Sequence, residues 1–153
     1  MKATTLAVLS AAMLLGSCSS IAYRSRIDEF INPDVPPSRF TAITVLPVDP
    51  EGFDPGIAAR VRDNLRSQGI NVVTPRMVLE ESEVSIPQLC PKDDPPEYKG
   101  VLWVAYDRLI LRDCETAAVA WRALGGYAGV DAMAKRLVTY LRSTAAQSTS
   151  TTQ

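Results

Sequence analysis

Apolar and polar positions recur with two different periods along this chain, and the periods mark where helices and strands belong. Residues 55–68 place Ile57, Val61 and Leu65 at i, i+4 and i+8, with Arg60, Arg62, Asp63 and Arg66 elsewhere. That spacing predicts an amphipathic helix. Asp54 fits its N-cap, Pro55 its first position and Gly69 its stop. A second stripe, Val130, Met133, Ala134, Leu137, Val138 and Leu141, predicts a final helix after the turn Gly125-Gly126-Tyr127-Ala128-Gly129. Short β-branched runs predict strands at Thr41 to Val48, where Pro47 marks an end or an edge, and at Ile70 to Val73. Strand, helix and strand in succession make a βαβ unit.

Beyond it, Pro75 to Glu83 has room for two or three helical turns, and the proline-rich stretch 84–99 with Lys92-Asp93-Asp94 reads as irregular loop. Val101 to Arg112 reads as one long strand or two nearly continuous ones. Thr116 to Ala123 is another, and Asp113-Cys114-Glu115 joins them as a hairpin. The order β-α-β-(α)-β-β-α predicts an α/β sandwich, a mixed sheet of about four strands with two main helices packed on it.

Side chains alternate between the faces of a regular strand. One face then collects Ile43, Val45, Trp103, Leu109, Leu111, Val119 and Trp121, apolar enough to lie beneath the helices. The other collects Thr44, Leu46, Leu102, Val104, Tyr106, Ala118, Ala120 and Arg122. Two helices cover one face only, so Leu102, Val104, Tyr106, Ala120 and Arg122 are the candidate partner-binding residues of the face left partly open. A bulge near Asp107 would swap this parity beyond it.

The N-terminus carries an address. Met1 and Lys2 form a positive start, and residues 6–15 (LAVLSAAMLL) have the length of a signal-peptide apolar region. A membrane span would need about 20 apolar residues. The stretch runs into Leu15-Gly16-Ser17-Cys18, which resembles the lipobox of bacterial lipoproteins. The resemblance implies that residues 1–17 are removed, that Cys18 is joined to diacylglycerol and N-acylated as the new N-terminus, and that the membrane partner is reached through these chains. Several acyl chains anchor stably where one would be marginal. Ser19 rather than Asp implies, in enteric-type bacteria, sorting to the outer membrane. Residues 18–38, with Asn32-Pro33-Asp34-Val35-Pro36-Pro37, read as a lipidated tether with one helical turn. The folded α/β domain spans 39–142, and the polar tail 143–153 reads as disordered.

Three stretches carry a second resemblance: Ala42-Ile43-Thr44-Val45-Leu46-Pro47-Val48, Asn64-Leu65-Arg66-Ser67-Gln68-Gly69, and Val72-Val73-Thr74-Pro75-Arg76-Met77-Val78-Leu79. Their patterning is similar to the envelope α/β domain shared by the TolB N-terminal domain, the curli secretion lipoprotein and the penicillin-binding-protein activator lipoproteins. The resemblance covers about 40 residues and implies an accessory or secretion-assembly role in the envelope. The chain has no evident pair of alternating 10-residue segments for a membrane barrel.

Composition narrows the chemistry. The 153 residues are 46% apolar and 22% charged, with 16 Lys plus Arg against 17 Asp plus Glu and no histidine. One ordinary domain is expected, without the basic footprint of a nucleic-acid binder. Absence of His excludes Ser-His triads, Cys-His dyads and His-zinc sites. Loss of the first 17 residues removes Lys2, leaving a slightly acidic chain with no polybasic segment for lipid headgroups. With Cys18 acylated, Cys90 and Cys114 remain, and in an oxidising compartment a disulfide between them is the natural reading. Two free thiols or a redox pair are the alternatives, although the spacing matches no CxxC motif.

Asp93 and Asp94 with Glu97 sit in a polar loop, where solvated carboxylates are expected rather than an acid-base pair or a calcium site. Asp49, Glu51 and Asp54 lack the EF-hand spacing. The glycines at 125, 126 and 129 lack the Walker Lys-Ser/Thr and the GxGxxG pattern, so no cofactor is expected. Ser82 and Ser85 have neither a His nor an SxxK lysine partner. Trp103, Tyr106, Trp121 and Tyr127 offer stacking surface, with core packing the expected role of the two tryptophans. The expectation is a non-enzymatic, periplasm-facing lipoprotein that binds an unidentified envelope protein. An enzyme or enzyme subunit acting on envelope glycan, or a subunit of a secretion assembly, is the alternative.

Overall fold

In the computed structural model, residues 26–48, 56–74, 89–90, 97–125 and 129–143 are described. Their order is β1 (Asp28–Ile31), a 3-10 turn (Pro37–Arg39), β2 (Ile43–Pro47), α1 (Gly56–Ser67), β3 (Val72–Val73), β4 (Gly100–Val104), β5 (Arg108–Asp113), β6 (Val119–Leu124) and α2 (Gly129–Arg142). The six strands form one mixed sheet in the order β1-β6-β5-β4-β2-β3. β2 is parallel to β3 and β4, whereas β4-β5, β5-β6 and β6-β1 are antiparallel. The α/β class and the two helices agree with the sequence pattern; the sheet has six strands instead of about four.

Both helices form where the 3.6 period places them. α1 buries Ile57, Ala58, Val61 and Leu65. It ends at Gly69, whose φ of +77° admits glycine without strain. The Gly69 amide donates to the Arg66 carbonyl and the Ile70 amide to the Leu65 carbonyl, closing the last turn in a Schellman pattern. α2 buries Val130, Met133, Ala134, Leu137, Val138 and Tyr140. Together the helices roof Ile43, Val45, Leu102, Val104, Leu109, Leu111, Trp121 and Ala123. Within this core the Trp121 and Tyr140 rings stack, 6.4 Å between centroids.

Strand parity departs from the regular count at two places. Between β4 and β5 the Ala105 amide donates to the Arg108 carbonyl, so Tyr106 and Asp107 alone make the turn. Val104 pairs with Leu109 across it, and Leu102 with Leu111. Even-numbered positions of β4 therefore share a face with odd-numbered positions of β5. Leu102 and Val104 are core residues beneath the helices, 0% and 1% exposed, and Trp103 turns to the other face. The second departure is a register shift opposite Leu111 and Arg112, where Leu111 pairs with Trp121 and Arg112 with Val119. Ala120 is the extra residue of this bulge and packs into the same core.

The segment expected as a tether adds β1 on the outside of β6. Asn32 holds it, its amide donating to the Ala120 carbonyl and its side-chain Nδ2 to the Val119 carbonyl at 3.1 Å. Trp121 Nε1 donates to Glu29 at 2.5 Å. The stretch 75–83, the cap residues Asp54 and Pro55, and the tail from 144 lie outside the described residues.

Candidate functional site

The second face of the sheet is covered on one half only. Over β2 and β4, Leu89, Cys90 and Tyr98 pack on Ala42, Leu46 and Val101, with Val73, Trp103 and Cys114 at the margin. Cys90 and Cys114 stand at disulfide bonding distance, their Cα atoms 5.3 Å apart, a separation a disulfide spans. Tyr98 donates its hydroxyl to the Leu89 carbonyl at 2.7 Å, tying the same segment a second time. Burial pushes the Tyr98 hydroxyl pKa above its ordinary value, so it stays a donor.

The other half, over β5, β6 and β1, is open among the described residues. The pairing places Phe30, Arg122, Ile110 and Trp103 in one row across four strands. Leu124 and Arg108 form the next row, with Asp28 at its edge. Phe30 and Leu124 are 43% and 40% exposed. The Arg122 guanidinium lies over the Phe30 ring, 5.7 Å from its centre, a cation–π geometry. Among the described residues no carboxylate pairs with Arg122; Arg108 pairs with Asp107 at 3.7 Å and Arg112 donates to the Ala117 carbonyl.

Of the five residues expected on a partner surface, only Arg122 lies on this open face. Tyr106 is at the hairpin tip, 68% exposed, and Leu102, Val104 and Ala120 are core. A parity count carried through a two-residue turn and a bulge exchanges the faces, which is why those three were misplaced. Phe30 and Leu124 complete the surface. Neither is expected there from the sequence, where the brief apolar pair Phe30-Ile31 inside the expected tether is the one local sign of this edge.

The end of the sheet remote from the hairpin tip is held by charges. Asp113, 2% exposed, accepts from the Thr116 amide at 3.0 Å and hydroxyl at 2.7 Å and faces Arg39 Nε at 3.8 Å. Arg39 also pairs with Glu115. Tyr140 donates to the Val35 carbonyl at 3.0 Å, and burial, followed by the Asp113 charge, pushes its pKa up to about 12. These contacts fasten the β5-β6 turn, the 3-10 turn and α2 together, a structural role.

Cys18, Asp93, Asp94, Asp49, Glu51, Asp54, Ser82, Ser85 and Tyr127 lie outside the described residues. Trp121 is fully buried and Trp103 half-buried. Among the described residues no group of three or more Cys, Asp or Glu side chains is placed to hold a metal ion, and no helix is long and apolar enough to cross a membrane.

These features define a mixed α/β domain, roofed by helices on one face and half covered on the other. No family model matches the chain, and no curated protein matches it. Among solved structures, a PelC dodecamer from Paraburkholderia phytofirmans is similar over 77% of this chain and 94% of that chain, at 17% identity and a TM-score of 0.38. A variant of the same dodecamer is similar over 77% and 95%, at 14% identity and a TM-score of 0.39.

Proposed function

We propose that the chain is a membrane-anchored, periplasm-facing lipoprotein of the bacterial envelope, acting as a non-enzymatic binding or accessory module. The open face built by Phe30, Arg122 and Leu124 carries this reading. Exposed apolar side chains beside an arginine with no carboxylate partner among the described residues suit a protein interface, where aromatic residues and Arg are enriched. The lipobox-like Leu15-Gly16-Ser17-Cys18 supports the anchor. β1 begins ten residues after Cys18, so the tether lets this face stand at most about 35 Å from an acylated Cys18.

Two variants test the two halves of the proposal. Cys18→Ala is expected to lose metabolic palmitate label and to leave the detergent phase; a variant that still partitions like wild type contradicts the anchor. Arg122→Glu is expected to weaken recovery of a cross-linked envelope partner by about tenfold. Its thermal midpoint should stay within about 4–8 °C of wild type, since an exposed cation–π contact contributes no more than about 1 kcal/mol. Unchanged recovery contradicts the binding face.

A further inference from the structure

The two edges of the sheet are treated differently. At the β3 edge the Arg66 guanidinium donates to the Val72 carbonyl at 3.1 and 3.3 Å and to the Thr74 hydroxyl at 3.2 Å, and the strand is two residues long. Short strands and charged side chains are the usual ways of blunting an edge. β1 is four residues long and carries Asp28, paired with Arg26, and Glu29, but among the described residues no side chain donates to its outward main chain as Arg66 does at β3. Its inner side is fixed by the Asn32 amide, which donates into β6. Alternation along an antiparallel pair then aims the main-chain groups of Asp28 and Phe30 inward and those of Glu29 and Ile31 outward.

Beside this edge lies a cleft of about 380 Å³, with Glu29 and Ile31 from β1 on one side and Arg136, Thr139 and Tyr140 from α2 on the other. Val35 contributes to its apolar lining, and Ile31 is 53% exposed. Glu29 is engaged by Trp121 Nε1. Arg136 is exposed and has no carboxylate partner among the described residues. An outward-facing strand edge, an apolar lining and one unpaired cation on the facing helix are the parts of a strand-addition site.

We propose that this cleft takes an extended peptide segment of another polypeptide, which pairs with the main chain of Glu29 and Ile31 as a seventh strand and sets a carboxylate against Arg136. Alternate side chains of the peptide would enter the cleft over Ile31 and Val35. The carboxylate follows from Arg136, since Glu29, the one acid among the described residues lining the cleft, already accepts from Trp121. This site is separate from the Phe30 and Arg122 face and does not depend on acylation of Cys18.

The test is selection of a displayed random heptapeptide library against the full chain in detergent, followed by binding of the enriched peptides made synthetically. Enriched peptides are expected to alternate β-branched residues with an acidic one and to slow amide exchange at Glu29 and Ile31. Arg136→Glu is expected to weaken them by about tenfold or more, the scale of one charge-assisted hydrogen bond. Ile31→Pro removes an outward N–H and no bond to β6, so it should weaken them similarly while the domain stays folded. If Ile31→Pro unfolds the domain, Arg136→Glu and the exchange data decide alone. No enrichment, binding indifferent to Arg136→Glu, or protection at Val72 and Val73 instead would overturn the proposal. Self-association through β1, lost in Ile31→Pro, would also overturn it in favour of a second copy of this chain.

Discussion

Ala120→Asp is expected to unfold the domain or bring it close to unfolding, while Arg122→Asp, two positions along the same strand, leaves it folded. In a regular strand the two sites would share a face and respond alike. The bulge opposite Leu111 and Arg112 separates them: Ala120 is 0% exposed within the core under the helices, and Arg122 is exposed beside Phe30. A carboxylate at 120 would be an uncompensated buried charge, costing about 3–5 kcal/mol. For a domain of about 100 residues that lowers the thermal midpoint by about 15–30 °C. At 122 the loss is the cation–π contact, no more than about 1 kcal/mol. Thermal scans of both variants check this, and equal midpoints would contradict the observed register.

The next largest effect is expected from opening the Cys90–Cys114 link. The two residues are 24 apart, and the chain-entropy model gives on the order of 3.5 kcal/mol for a loop of that size. The link also holds Leu89 and Tyr98 against Ala42, Leu46 and Val101, so its loss frees the cover of half a sheet face. Cys114→Ser, or reductant added to wild type, should lower the thermal midpoint by about 15–25 °C relative to the oxidised wild type. A shift within about 2 °C would show that packing alone holds the segment. Peptide mapping without reductant should recover the two cysteines linked, and quantitative alkylation of both in folded, unreduced protein would contradict the pairing.

What the sequence disclosed depended on how local the determining physics is. α1 and α2 are set by their own periodicity, and Gly69 by the left-handed turn that ends α1, so both helices were legible. β1 was not, because Asp28-Glu29-Phe30-Ile31 has no alternation to reveal it; its place comes from Asn32 and Glu29 reaching residues about 90 positions away. The faces of β4 and β6 were misread for a related reason. Tyr106-Asp107 turns the chain in two residues without a glycine, and the bulge at Ala120 is visible only once β5 lies beside it. Consequently Arg122 was legible as a surface residue, and its neighbours on that surface, Phe30 and Leu124, required the fold.

The central claim, that the open face over β6 and β1 docks a component of the envelope, is tested most directly by photo-cross-linking in living cells. p-Benzoylphenylalanine would replace Phe30, Arg122 or, as a control, Arg60 on the exposed side of α1. Positions 30 and 122 are expected to yield one adduct of the same mass and position 60 none. No adduct at 30 and 122, or the same adduct from all three positions, would contradict it.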